Sequence, residues 1–388
     1  MQGLLIQKRS YVFLRKARKA FCALLCVFCA VSFAQAEDVV RSDQANFRLI
    51  EIASGLEHPW GLTFLPNSDI LVTEREGRLR IVRNGELDPN PLTGIPENIY
   101  VAGQGGMLDV AVHPEFETNR LVYLSYAGLG EGGAGTEVMR GRLDGNNLEE
   151  AEVIFTVEPK TRGRLHYGSR LVFATDGTLL ITIGDRYNRM HDAQDPDNHL
   201  GTTIRINDDG SVPENNPFID HPSYQPEVFS YGHRNAQGLA IRPSDNSIWA
   251  HEHGPRGGDE VNKLEAGKNY GWPAITYGID YSGAIISDQT HAEGMEQPVI
   301  YWDPSIAPSG MTFYDGAAFP EWQGDLFVGA LVQRHLRRLE MNGDQVIAQE
   351  VLLDGMARIR DVRNGPDGSL YILTDDLNGK ILRLESVN

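Results

Sequence analysis

Residues 169–185 read SRLVFATDGTLLITIGD. A half-alternating run reaches a turn at Asp176-Gly177, and a second apolar run follows. Period-two alternation marks a half-buried strand, and two such runs around a short turn mark a hairpin. Five variants of this pattern recur: GLTFLPNSDILVTER (61–75), DVAVHPEFETNRLVYLSY (109–126), QGLAIRPSDNSIWAHEHG (237–254), GMTFYDGAAFPEWQGDLFVGAL (310–331) and RDVRNGPDGSLYILTDD (360–376). Segments such as GRLRIVRNGEL (77–87) and KILRLESVN (380–388) supply further strands. A four-stranded unit cannot bury both of its faces alone, so repeats of this kind close into a ring. The predicted fold is therefore all-β: a six-bladed β-propeller with four-stranded antiparallel blades, forming one domain over residues 37–388. Uneven spacing of the repeats implies long loops between blades, where binding residues concentrate. Helical periodicity is scarce. LDGNNLEEAEV (143–153) is expected to form one turn of helix within a loop.

The N-terminus points to export. Lys8, Arg9, Arg15, Lys16, Arg18 and Lys19 precede an apolar run from Ala20 to Phe33, and Ala34-Gln35-Ala36 offers a small-residue cleavage site. This predicts a cleaved signal peptide over residues 1–36 and a periplasmic or secreted product. The apolar run is shorter than the ~20 residues that span a bilayer, and no later stretch reaches that length, so no integral membrane segment is expected in the mature chain. Cys22, Cys26 and Cys29 all fall within the signal, which leaves the mature protein without disulfide or thiolate chemistry. Cleavage removes six basic residues and no acidic one, taking the formal net charge from −18 to −24. A nucleic-acid partner is not expected, because polyanions need a basic face.

Several motifs fall away. Residues 128–133 fit G-x-G-x-x-G, but the following AGTEVMRGRL reads as a strand where a dinucleotide site needs a helix. There is no G-x-S-x-G elbow, P-loop or H-E-x-x-H. His251 and His253 would share one face of a strand, and two histidines fall short of a zinc ligand set, so structural roles are expected for them.

His166, in LHYGSRLVF, stands just before a blade strand, and Asp185 ends the strand that follows. In a hairpin these two positions lie side by side, so Asp185 is expected to accept the His166 ring N–H and orient a general base. Gln104, Arg234 and Arg358 occupy the same pre-strand position in three other repeats, and a propeller would gather all four around its axis. Arg358 and Arg360 are spaced i, i+2 and so face the same way on an extended chain. They suit an anion carrying several carboxylates, with a salt-bridged surface strand as the plainer alternative. HEHGPRGGDEVNKLEAGKNYGWP (251–273) turns sharply among glycines, prolines and carboxylates. The carbonyls of Gly254 and Pro255 are expected to share a concavity with Asp259 and Glu260, an oxygen set that suits Ca²⁺.

Together HPWGLTFLP, GQGGMLDVAVHP, LHYGSRLVF, GDRYN, YGHRNAQGLA, HEHGPRGGDEVN, KNYGWP and RIRDV closely resemble the PQQ-dependent soluble aldose sugar dehydrogenases, exported propellers related to soluble quinoprotein glucose dehydrogenase. The resemblance covers nearly the whole mature chain. It implies oxidation of an aldose at the anomeric carbon to the lactone, with His166 as base, Asp185 orienting it, and hydride passing to PQQ. Arg234 would stabilise charge on the quinone, while Gln104, Asn235, Arg358 and Arg360 would hold the cofactor. One Ca²⁺ would use the Gly254 and Pro255 carbonyls, a second Glu260 and the Tyr270 carbonyl, and electrons would pass to an external acceptor. Tyr281 is a further candidate for the cofactor or sugar pocket, whereas Trp272 and Tyr277 are expected to fill blades. The family's cofactor-contacting lysine is missing from GALVQRHLRRLEM (329–341), where Arg334 would take its place. A calcium-dependent lactonase-type hydrolase and a non-catalytic binding propeller are the competing readings on the same scaffold.

Overall fold

The computed structural model describes residues 39–387. The signal peptide expected over 1–36 lies outside them. Six antiparallel sheets form six blades. Blade I runs from Pro59 to Leu87, blade II from Met107 to Thr156, blade III from Leu171 to Tyr231, blade IV from Ala236 to Trp302, and blade V from Pro308 to Leu352. Blade VI joins the chain ends: three strands between Ile359 and Ser386 are completed by Asn46–Leu56, with Val40–Arg41 at the edge. Phe47 pairs with Ser386 and Leu49 with Leu384, so the ring is closed by backbone hydrogen bonds between sequence-distant strands.

All six hairpins read from the sequence are present as the first two strands of their blades. The first strands pack beside one another in a ring around the axis, from Pro59–Phe64 through Ile359–Asn364 and back. Six apolar clusters fill the six interfaces between neighbouring blades: Leu71 with Val122 and Leu124, Val138 with Ile181 and Ile204, Leu180 with Leu239, Trp249 with Met311 and Val328, Phe327 with Phe47 and Ile372, and Leu373 with Leu62 and Val72. Each such side chain contributes about 1.5–3 kcal/mol when fully buried. Both faces of every blade thus gain cover from a neighbour.

LDGNNLEEAEV is not helical. Leu143 and Asp144 end one strand and Asn147 begins the next, with Asp144 opposite Asn147 across a turn at Gly145 (φ +57°) and Asn146. Turn-forming Gly-Asn and the pairing of Arg142 with Glu149 across the strands outweigh the short run of helix-forming residues. AGTEVMRGRL is strand, within Gly133–Asp144.

At the axis a buried ionic lock joins four blades. Arg170 Nη1 lies 3.1 Å from both Asp109 Oδ1 and Asp361 Oδ1. Arg363 reaches the same two carboxylates at 3.2 and 2.9 Å, and the backbone N–H groups of Leu62 and Leu171 donate to them at 3.1 and 2.8 Å. Gly61 is required here, because a Cβ would sit 2.4 Å from Asp109 Oδ1. Among the described residues no helix is long and apolar enough to cross a membrane.

Candidate active site

The segments that precede the first strands meet at one mouth of the ring. His166 holds a left-handed backbone conformation (φ 54°), which costs a non-glycine residue on the order of 1–3 kcal/mol. Its surroundings offset that cost. Gln104 Oε1 accepts the His166 N–H at 2.7 Å. Arg186, lying on the Tyr167 ring at 3.6 Å, donates to the carbonyls of Leu165 at 2.7 Å and Gly163 at 3.1 Å. The loop carrying His166 is thus gripped from two blades.

His166 Nδ1 is 2.6 Å from Asp185 Oδ1. The carboxylate also accepts the Tyr187 N–H at 2.7 Å and the Trp272 Nε1–H at 2.8 Å. Burial works against ionisation of Asp185, but the bonds from His166 and Tyr187 and the Arg234 charge hold its pKa below the usual carboxylate value. Burial lowers the pKa of His166, the Asp185 partner pulls it partly back, and Arg234 and Arg186 push it down again. An ionised Asp185 fixes the proton of a neutral imidazole on Nδ1 and leaves Nε2 as the basic atom. No described group hydrogen-bonds to Nε2, so this nitrogen can take a proton from a ligand.

Arg234 and Asn235 lie beside this pair. Arg234 Nη1 donates to the carbonyls of His253 at 3.0 Å and Gly254 at 2.7 Å, and the guanidinium lies 5.2 Å from the Trp272 ring centroid and 5.9 Å from that of Tyr281. Tyr281, although 59% exposed, therefore belongs to the mouth. Asn235 Oδ1 accepts the Gly168 N–H at 3.1 Å. Arg234 Nε and Asn235 Nδ2 are buried donors without a partner.

A cavity of about 210 Å³ opens here, lined by Trp60, Arg75, Gln104, Gln237, His253, Leu331, Val332, Arg358 and Arg360 among others. Arg358 and Arg360 do face the same way, and both bond Asp375 Oδ2, at 3.0 and 2.8 Å. The salt bridge of the plainer reading is thus present, although Arg360 is buried and both guanidiniums line the cavity. One carboxylate balances two guanidiniums, and Arg75 adds a third at the cavity wall. Surplus positive charge around a cavity of this size, with the unpartnered N–H groups of Arg234 and Asn235 outside its lining, suits a flat polyanion with carbonyl and carboxylate acceptors. His253 donates Nε2–H to the Pro308 carbonyl at 2.6 Å, and its pKa is pushed down to about 3 by burial, so it lines the cavity as a neutral ring.

The cation reading needs one correction. Asp259 does not point into a concavity shared with the Gly254 carbonyl: its oxygens are taken by the N–H groups of Gly254, Ile306 and Ala307 at 2.8, 2.7 and 2.9 Å and by Ser305 Oγ at 2.6 Å. Four donors satisfy this carboxylate as a loop brace. Gly254 O faces the mouth and carries the Arg234 guanidinium. Glu260 stands opposite Glu252 on the neighbouring strand, and Asn262 Nδ2 donates to both, at 3.2 and 3.4 Å. Burial and the Glu252 charge raise the Glu260 pKa to about 8. Asn262 Oδ1 is buried without a partner. Glu252 is already held by His233 Nδ1 and the Arg234 N–H, which leaves the Glu260 carboxylate and the free Asn262 oxygen as the oxygen donors suited to a hard cation. Tyr270 stacks on His233 with centroids 4.7 Å apart, and its hydroxyl donates to the Lys263 carbonyl at 2.7 Å. Among the described residues no three His, Cys, Asp or Glu side chains gather as a metal centre.

Trp272 is also corrected. It does not merely fill a blade; its indole N–H is spent on Asp185. Tyr277 does not fill a blade: it is half-buried and stacks at 3.9 Å on Tyr301, an exposed residue of an outer strand. Arg334 donates to the Met356 carbonyl at 3.2 Å and lines a separate cleft beyond Arg358, outside the 210 Å³ cavity. Residues that sequence reasoning missed are Trp60, Arg75, Gln237, Glu252 and Asp375. The repeats held a signal for two of them. Glu252 and Asp375 stand where Asp185 does, at or just past the end of a blade's second strand, and each meets a basic side chain from the segment entering the first strand, His233 and Arg358.

Six blades that converge a buried histidine–carboxylate pair and a cluster of guanidiniums define a propeller with a guanidinium-lined cavity. The family model described as glucose/sorbosone dehydrogenase matches residues 56–383, and the chain belongs to that family. It is an oxidoreductase. It is 45% identical over 340 residues to aldose sugar dehydrogenase YliI of Escherichia coli (strain K12), covering 86% of this chain and 91% of that protein. A crystal structure of a glucose dehydrogenase superposes with a TM-score of 0.84 at 49% identity, covering 86% of this chain and 98% of the other. The PQQ-bound aldose sugar dehydrogenase of Streptomyces coelicolor superposes with a TM-score of 0.73 at 26% identity, covering 89% of this chain and all of that one at 100%.

Proposed function

We propose that this protein is a PQQ- and calcium-dependent aldose dehydrogenase that oxidises the anomeric carbon to the lactone and passes electrons to an external acceptor. We assign residues 37–388 to the working enzyme, in the periplasm or outside the cell after loss of a signal peptide. The observation that carries the reading is the 2.6 Å His166–Asp185 bond, tied to a guanidinium-lined cavity through the wall residue Gln104, which accepts the His166 N–H. The names of the Escherichia coli and Streptomyces coelicolor relatives support the substrate class and the cofactor.

When bound, PQQ supplies a quinone that accepts a hydride, and Ca²⁺ makes that quinone more electrophilic. Gln104, Asn235, Arg358 and Arg360 would hold its acceptors, with Tyr281 over the opening. The Gly254 and Pro255 carbonyls would take the calcium beside it, and Glu260 with the Tyr270 carbonyl a second, structural one. His166 Nε2 takes the proton of the anomeric hydroxyl. Asp185 stabilises the imidazolium that results, and its own low pKa keeps the proton on histidine. Arg234 supplies fixed positive charge where negative charge develops, in a site dry enough to make that charge effective.

The test is reduction of an acceptor dye by an aldose in purified protein, with PQQ and Ca²⁺ added singly and together. Turnover that needs both supports the proposal. Hydrolysis of a sugar lactone without PQQ would instead identify a hydrolase, and inactivity in both assays a binding propeller.

A further inference from the structure

The mouth contains one side chain that touches both halves of the chemistry. Trp272 donates Nε1–H to Asp185 Oδ2 at 2.8 Å, while its ring lies 5.2 Å from the Arg234 guanidinium carbon. Its backbone is pinned on both sides: Trp272 N–H donates to the Gly232 carbonyl at 2.9 Å, and its carbonyl accepts Gln194 Nε2–H at 2.8 Å. The turn that presents it depends on Gly271 (φ +89°), where a Cβ would meet Ile275 at 2.2 Å. Asn269 Oδ1 braces the same turn by accepting the Gly271 N–H at 2.8 Å.

We infer that Trp272 is a positioning residue that locks the Asp185 carboxylate in the plane where it serves His166, and seats Arg234 beside that pair. The inference rests on the reading of His166 as base. A carboxylate held by His166 and the Tyr187 N–H on Oδ1 alone, with nothing on Oδ2, can still turn about that one oxygen. The indole N–H removes that freedom and draws charge from the carboxylate, which tempers the basicity of His166. The ring face does the second task. Arg234 Nε makes no hydrogen bond and Nη1 holds only carbonyls, so a flat apolar and π-rich surface fixes the tilt of the guanidinium.

Two variants separate these tasks. Trp272→Phe keeps a ring and loses the N–H; Trp272→Leu loses both. In Trp272→Phe, kcat with an aldose should fall about ten- to a hundredfold, the scale of a hydrogen bond to a charged group, with PQQ affinity held. The acid limb of kcat/KM should move to higher pH, because Asp185 relieved of a donor stabilises the imidazolium more. The other groups facing the pair, Arg234 and Arg186 by charge, His253 as a neutral ring and Tyr187 through its N–H and ring, stay in place. Trp272→Leu should lose PQQ affinity as well, read by quenching of the remaining tryptophans.

A second measurement needs neither cofactor nor turnover. In the apo protein the five tryptophans give indole N–H resonances, and the one that disappears in Trp272→Phe should move upfield in Asp185→Asn. This resonance decides the inference even when the enzyme proves not to use PQQ, and its disappearance in Trp272→Leu assigns it should Trp272→Phe fail to fold. An indole resonance indifferent to Asp185→Asn, or a Trp272→Phe enzyme with unchanged kcat and pH profile, would overturn it.

Discussion

His233 Nδ1 lies 2.9 Å from Glu252 Oε1 in blade IV, repeating the relation of His166 to Asp185 in blade III. The two pairs differ in the remaining ring nitrogen. His233 Nε2 is occupied by Ser230 Oγ at 2.9 Å, and the ring is stacked under Tyr270. His166 Nε2 is open to the mouth. One repeat uses the pair to brace the ring and the other presents it to a ligand.

Asp185→Asn keeps the shape of the pair and removes its charge. We expect kcat to drop on the order of 10²–10⁴-fold, the range for a positioned general base, with PQQ affinity little changed. The pH response has a definite sign. Asp185 is the group that raises the His166 pKa against burial, so its loss lowers that pKa further. The acid limb of kcat/KM, set by protonation of the base, should shift to lower pH in the variant, opposite to the shift expected of Trp272→Phe. Steady-state rates across pH 5–8, the range in which histidine responds, check this.

Arg360 is buried and held by Asp375 and by Gln237 Oε1 at 3.1 Å, whereas Arg358 is 43% exposed. A preorganised, desolvated guanidinium binds an anion more strongly than a solvated one. Arg360→Gln should weaken PQQ binding about 10- to 100-fold, and Arg358→Gln by less than about tenfold. Equilibrium fluorescence titration of the apo variants measures both.

Arg170→Met leaves Asp109 and Asp361 buried with Arg363 as their one remaining guanidinium. Removing one member of a buried ionic cluster typically costs about 3–5 kcal/mol. The same loss should appear in urea unfolding, since Arg170, though near the axis, is not a cavity-lining residue.

Glu252 and Glu260 repel each other in a dry site. Added Ca²⁺ should raise the melting temperature of the wild type and a chelator should reverse the gain. Glu260→Gln should melt higher than wild type without metal and gain less from it. Differential scanning calorimetry with and without Ca²⁺ tests this.

The fold was readable because each blade writes its first hairpin in plain alternation, and six copies leave one ring to build. The placing of Gln104, His166, Arg234 and Arg358 was readable for the same reason, since each precedes the first strand of its repeat, and Asp185 was readable from the hairpin that returns beside His166. Asp259 misled because a carboxylate near glycines and prolines resembles a cation ligand, while its four donors come partly from Ser305, Ile306 and Ala307, some 46 to 48 residues away. Trp272 misled because a tryptophan is usually assigned to packing, and its N–H partner lies 87 residues distant. LDGNNLEEAEV misled because helix propensity carries no information about the strand waiting beside it. Long-range pairing was the part that local sequence did not encode.

The central claim is that His166 Nε2 removes the proton that starts sugar oxidation. Its most direct test is stopped-flow mixing of an aldose with PQQ- and Ca²⁺-loaded protein, following bleaching of the bound quinone spectrum in a single turnover. The account predicts rapid bleaching in the wild type, and a His166→Gln protein that retains its bound PQQ but bleaches at least about 100-fold more slowly. Bleaching at the wild-type rate in loaded His166→Gln would contradict it.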